Sequence, residues 1–263
     1  MTDQPRAALA SLMIQRDLSA PWTSVTVVER TGSTNADLLA DGLDGAVLVA
    51  ESQESGRGRL DRSWQSPPRA GLTFSVRFRP GTALGTWGWL PLLTGLAVRA
   101  AVATSVEAVL KWPNDVLIGP ARRKVAGVLA QAVGDSVVVG IGLNVHQTSA
   151  ELPIETATSL ALEGVVADRA ELLLAILDGL GSRIQAWQRA GGDAAACGLA
   201  AEYTAHCSTI GQEVTVTGLA EGARSGRAVG IDPEGRLLVL VNGVVQPIAA
   251  GDVEHVRPTQ PNH

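Results

Sequence analysis

The chain has 263 residues, 46% hydrophobic and 18% charged, with a formal net charge of −5. That length suffices for one large domain and a small one, and the composition is that of an ordinary globular protein. The negative balance argues against a general nucleic-acid coat, so any basic site has to be local.

Residues 1–20 interleave charges with short apolar runs, which is not the pattern of a signal peptide. They are also too few for a helix-turn-helix module before Val25, which disfavours DNA binding at that end. Val25 to Glu29 predicts a strand, and Ser33-Thr34-Asn35 supplies N-cap residues for a helix near Asn35–Ala40. Ala46 to Ala50 predicts a second strand. Glu51 to Pro68 is polar, rich in Gly, Ser and Arg, and predicts a long mobile loop. Leu72 to Phe78 alternates apolar and polar residues, as a half-buried strand does.

Pro91 suits the first turn of an alanine-rich helix expected to run to about Val109. The Lys111 segment, the Lys124 segment and Val137–Val145 predict three strands, with a turn at Gly119-Pro120. Asp168 with Glu171 forms a capping-box signal for a helix whose Leu173, Ile176, Leu177, Leu180, Ile184 and Trp187 fall at core-facing spacing. Cys197 and Cys207 follow in a region of helical texture without a CxxC pair. They argue against a disulfide framework or zinc site and fit a reducing cytoplasm. From Gly211 onward short strands alternate with Gly, Asn, Asp and Pro, predicting a small β-barrel or sandwich of about 50 residues. No uninterrupted apolar run reaches 18 residues, so no membrane span is expected.

Four groups of residues carry the chemistry. Gly56-Arg57-Gly58-Arg59-Leu60-Asp61-Arg62-Ser63-Trp64 lacks the third glycine of a dinucleotide fingerprint. Its arginine forks suit phosphate or carboxylate oxygens, and Trp64 suits a stacking or covering role; a solvated surface loop with one anchor is the plainer alternative. Ser33, Thr34 and Gln53 are polar caps or partners for a neutral urea or amide. Lys111 and Lys124 flank strand-like sequence and suit an anion, or protect sheet edges. Asp115 could simply pair with a lysine, and Asn114 could simply make a turn. Asn144, between apolar residues, requires a partner for its amide, either backbone or an adenine edge.

In this order the segments Gly32–Asn35, Glu51–Gln53, Gly56–Trp64, Lys111–Asp115, Lys124–Gly127 and Gly140–Asn144 strongly resemble the biotin–protein ligase family over about residues 22–257. The resemblance implies an α+β fold. A class II synthetase-like catalytic domain with a mixed sheet and helices would span 1–207, with 1–20 as an extension. A small SH3-like β-barrel would span 208–263. It implies formation of biotinyl-5′-AMP from biotin and MgATP, then transfer of biotin to a lysine of a carboxylase's biotin carboxyl carrier domain. Lys124, Arg57, Lys111 and Arg59 would be catalytic. Ser33, Thr34, Asn35, Gln53, Arg57, Gly58, Arg59, Lys124, Gly127 and Leu129 would hold biotin. Arg59, Trp64, Asn114, Lys111 and Asn144 would hold ATP or AMP, and Asp115 would bind Mg²⁺ or orient the acceptor amine. The expected protein is a cytoplasmic monomer or weak homodimer with no DNA or membrane partner. Asp61 departs from the family's usual glycine. A lipoyl or octanoyl transferase and a biotin-sensing regulator are the rival readings.

Overall fold

The computed structural model describes residues 6–60, 62–219 and 222–255, so Asp61 lies outside the described residues. Helix α1 (Ser11–Arg16) precedes strand β1 (Ser24–Val28), helix α2 (Thr34–Asp41) and strand β2 (Ala46–Ala50). Strands β3 (Gln53–Arg57) and β4 (Ser63–Ser66) then form a hairpin, followed by β5 (Gly71–Phe78) and helix α3 (Trp89–Val102). Four strands follow: β6 (Ala108–Lys111), β7 (Asp115–Ile118), β8 (Arg123–Val133) and β9 (Ser136–Asn144). Helices α4 (Arg169–Arg189) and α5 (Leu199–His206) lead to β10 (Glu213–Thr217), β11 (Arg224–Ile231), β12 (Leu237–Val241), β13 (Val244–Ile248) and β14 (Asp252–His255).

The fold is α+β. A seven-stranded mixed sheet has the order β1-β2-β5-β9-β8-β7-β6, with only β1 and β2 parallel. The period-two alternation of the strands sorts their side chains onto two faces. Val47, Val49, Leu72, Phe74, Val76, Val139, Ile141 and Val128 join α3 and α4 in the main core. The opposite face carries Thr73, Ser75, Gly140, Gly142, Gly127 and Leu129 at paired register positions. Its outer part is covered by α2, where Leu38 packs with Ala46, Leu48 and Val138. Residues 209–255 contribute a separate five-stranded antiparallel sheet, ordered β13-β12-β11-β10-β14. Its Val214, Val216, Leu237 and Val239 belong to the same continuous core.

Three sequence expectations change. The 51–68 segment is no unstructured loop: Gln53–Arg57 pairs with Ser63–Ser66 as the β3–β4 hairpin. Polar composition hid it, because its partner surface is the glycine-lined sheet face and not apolar core. The alanine-rich helix stops at Val102, since Ala108–Lys111 is drawn into antiparallel pairing with β7 and Arg99 Nε donates to the Ala108 carbonyl at 3.0 Å. Tertiary pairing here overrides alanine's helix propensity. The strand at 72–78 is buried on both faces, Thr73 and Ser75 being 3% and 0% exposed.

Residues 6–9 strap the molecule close to the end of β2. The Leu9 amide donates to Glu51, which pairs at 2.6 Å with Arg169 at the start of α4. Arg6 pairs at 2.7 Å with Glu151, and its hydrogen bonds hold that carboxyl at about 2, below the ordinary 4.5. A lowered carboxyl pKa stabilises above the unfolded value, and the contribution disappears as pH falls toward the folded value. The stability gap between wild type and Arg6→Ala is therefore expected to narrow from about pH 5 to about pH 2. Denaturant titrations across that range check it; a constant gap refutes it. Among the described residues, no helix is long and apolar enough to cross a membrane.

Candidate active site

The site grows from one register row. Lys111 lies opposite Asp115, Asp115 opposite Gly127, Gly127 opposite Gly142, and Gly142 opposite Thr73. Residues directly opposite in antiparallel strands share a face, so two glycines form a flat floor between an acidic and basic end and a polar end. The floor is needed. A Cβ on Gly142 would stand 2.2 Å from Trp64 Cε2, and one on Gly140 would stand 2.1 Å from Asn35 Oδ1. The hairpin thus lays the Trp64 indole directly on the Gly142 backbone.

At the charged end, Lys124 Nζ is 2.6 Å from Asp115 Oδ1, close enough for an ion pair but out of line for a hydrogen bond. The ammonium also sits 5.8 Å from the Trp64 ring centroid, within cation–π reach. Gly127 makes room, since a Cβ there would lie 3.3 Å from Lys124 Cε and Nζ. Residues 156–158 fix the lysine's backbone: its N–H donates to the Thr156 carbonyl at 2.9 Å, and its carbonyl accepts from Thr158 at 2.8 Å.

The arginine loop between β3 and β4 hangs above this end. Neither Arg57 nor Arg59 forms an ion pair among the described residues, and Arg59 Nε is buried without a partner. Burial lowers the Arg59 pKa, while the carboxylates of Asp252 and Asp115 oppose the shift. The loop is anchored at its far side by an Arg62–Asp252 ion pair, and Leu60 comes against Gly218. The C-terminal sheet thereby holds the loop in place.

At the polar end, the Thr34 amide donates to Gln53 Oε1 at 3.0 Å, and Gln53 Nε2 donates to the Trp64 carbonyl at 3.3 Å. Ser75 Oγ lies 2.7 Å from Thr34 Oγ1 and 2.6 Å from Asn35 Oδ1. Ser33 accepts from Ala36 N as the cap of α2. Close packing of α2 against Gly140 is what aims Thr34 at the floor.

Several expected site residues are engaged with other protein groups. Asn35 Nδ2 donates to Gln131 Oε1 at 2.7 Å and to the Leu129 carbonyl at 3.3 Å. Asn114, in the turn between β6 and β7, donates to the Val128 carbonyl of β8 at 3.1 Å. Asn144 donates to the Thr158 carbonyl at 2.9 Å and accepts from Gln147 at 3.1 Å. Lys111 stays opposite Asp115 on the edge strand β6, and burial, then the Lys111 charge, lowers the pKa of His255. Gly58 sits in the loop, its N–H donating to the Arg62 carbonyl at 2.6 Å.

Sequence reasoning missed four contributors. Ser75 was legible only as a polar position of an alternating strand. Asp252 and Arg169 carry no local motif at all. Trp112 also plays an unforeseen part. Its indole donates to the Gly235 carbonyl at 3.2 Å, and its amide donates to Thr209 at 3.1 Å. Both partners belong to the C-terminal segment, so the Lys111–Asp115 turn is keyed to that sheet.

Residues 27–147 match the biotin/lipoate A/B protein ligase family, and residues 209–256 match the biotin protein ligase C terminal domain. The biotin–[acetyl-CoA-carboxylase] ligase of Mycobacterium tuberculosis is 42% identical over 90% of this chain and 90% of its own. The bifunctional ligase/repressor BirA of Bacillus spizizenii is 31% identical over 87% of this chain and 72% of its own. The biotin protein ligase from Aquifex aeolicus in complex with biotin and ATP aligns with a TM-score of 0.73 and 32% identity, covering 89% of this chain and 98% of that one. Identity sustained across both the glycine-floored sheet and the C-terminal sheet places this chain in the biotin–protein ligase family of enzymes.

Proposed function

We propose that the enzyme makes biotinyl-5′-AMP from biotin and ATP and then passes biotin to one lysine of a carboxylase's biotin carboxyl carrier domain. The observation that carries this reading is the floor itself. One end holds Lys124 and, in the adjoining loop, Arg57 and Arg59, neither ion-paired among the described residues, and the other holds Thr34, Gln53 and Ser75. A molecule with an acid at one end and a urea at the other matches that polarity.

In the first step a biotin carboxylate oxygen bonds to the α-phosphorus of ATP, and the bond to the β-phosphate oxygen breaks to release pyrophosphate. Two anions meet, so catalysis is mainly charge neutralisation and alignment. Lys124, Arg57, Arg59 and Lys111 supply it. No general base is needed, because the carboxylic acid is already ionised near pH 7. In the second step the carrier amine bonds to the acyl carbon, and AMP leaves with the bonding electrons. Ser33, Thr34 and Gln53 hold the ureido ring. Asn35 supports them through Ser75, while Gly58, Gly127 and Leu129 border the ligand by backbone. Trp64 covers it. Asn114 and Asn144 border the nucleotide side once adenosine engages them.

Magnesium enters bound to the phosphates of ATP. No group of three or more His, Cys, Asp or Glu able to hold a metal is present among the described residues. Asp115 could contribute one ligand at most, and only on leaving Lys124; its other assignment is to orient the carrier amine. We take 1–207 as the catalytic unit and 208–263 as the accessory unit that keys the arginine loop, working in the cytoplasm as a monomer or weak homodimer.

Mass spectrometry of the protein incubated with biotin and MgATP tests the reading. A retained biotinyl-adenylate, absent with lipoate or octanoate, is expected; adenylation of lipoate or octanoate in its place overturns it. The loop predicts a second result. A charged hydrogen bond contributes about 1.5–3 kcal/mol, so Arg59→Gly is expected to release the intermediate about 10- to 100-fold faster and to label bystander lysines. Release at the parental rate removes the retention role.

A further inference from the structure

Thr73 closes the register row beside Gly142, at the edge of the glycine floor, and has no role in the scheme above. It is 3% exposed, and its Oγ1 has no hydrogen-bond partner among the described residues. A buried hydroxyl without a partner is destabilising, and folded proteins rarely leave one unexplained. Its direction follows from register. Thr73 is paired with Gly142, on which the Trp64 indole lies, and Ser75, two residues on, faces Thr34 and Asn35. Thr73 therefore shares their face. It lies about 7 Å along β5 from the Ser75 corner and two strands, about 10 Å, from Gly127 and its lysine.

We infer that Thr73 is a specificity residue whose hydroxyl donates to the thioether sulfur of bound biotin. This rests on the biotin reading and deepens it. With the ureido ring at Thr34 and Gln53 and the acid at Lys124, the middle of the ligand passes over Thr73. Between its ureido ring and its acid, biotin carries a single heteroatom, the sulfur. A thioether is a weak acceptor, and a hydroxyl with no competing partner is suited to it.

The test is calorimetric titration of wild type, Thr73→Val and Thr73→Ser with biotin and with desthiobiotin, which lacks the sulfur. Valine matches threonine in shape and removes only the hydroxyl, so the melting temperature should hold or rise. Thr73→Val is expected to weaken biotin about fivefold, the equivalent of one ordinary neutral hydrogen bond. It should leave desthiobiotin unchanged, and Thr73→Ser should bind biotin like wild type. Unchanged biotin affinity in Thr73→Val overturns the inference, as does an equal loss for both ligands, which would move the hydroxyl to the ureido ring. Wild type that binds neither ligand overturns the biotin reading and this inference with it.

Discussion

Lys124→Ala is expected to lower pyrophosphate release by about two to three orders of magnitude, the usual effect of deleting one donor aimed at developing charge. On the proposed mechanism this ammonium stands where negative charge develops. It is partly buried, ion-paired at 2.6 Å to Asp115, and set beside a glycine that leaves it room. Asp115 neutralises this charge in the structure. Removing the lysine does two kinds of harm. The transition state loses its neutralising cation, and the Asp115 carboxylate is left to repel biotin and ATP. Lys124→Arg should recover only part of the activity, because the guanidinium fork is wider than the space beside Gly127. Pyrophosphate release within tenfold of wild type in the alanine variant would take Lys124 out of the chemistry.

The second large effect is on stability. Arg169→Met is expected to destabilise the fold by about 3–5 kcal/mol, the range for removing one partner of a buried ion pair. Arg169 and Glu51 side chains are 4% and 2% exposed. Arg169 also donates to the Gly71 carbonyl at 3.1 Å and to the Ala7 carbonyl at 2.5 Å. One guanidinium thus ties α4, β2, β5 and the N-terminal strap together. Glu51→Leu combined with Arg169→Met should recover part of the loss, since no charge is then left buried alone. Recovery stays incomplete because the Leu9 amide and the Gly71 and Ala7 carbonyls still lack partners. Urea titrations with global fitting measure both; a loss below about 1 kcal/mol for Arg169→Met would mean that Glu51 finds another partner or water.

Much of the chemistry was legible in short segments. The Lys111–Asp115 and Lys124–Gly127 segments combine charge, glycine and β-branched residues in a way that hydrophobic periodicity does not require. The capping signals at Ser33 and Asp168 were also readable, because a cap is a local hydrogen bond: Asp168 accepts from Ala170 and Glu171 as expected. The hairpin at 53–66 was not legible. Its strands are held by a glycine floor supplied by β8 and β9, far away in sequence. The extent of α3 was likewise hidden, since alanine propensity is local and the pairing of β6 with β7 is not.

The sequence by itself determined the candidate groups of the site, the change of texture near Gly211 and the alternation that sorts each strand's faces, because these depend on residue type and spacing over a few positions. Tertiary structure decided which groups meet. It set Gly127, Gly142 and Thr73 in one row, gave Lys124 to Asp115, engaged the amides of Asn35 and Asn144 with backbone carbonyls, and hung the arginine loop from Asp252. The physical reason is that strand register and domain packing minimise free energy over the whole chain. No window of sequence contains both sides of those contacts.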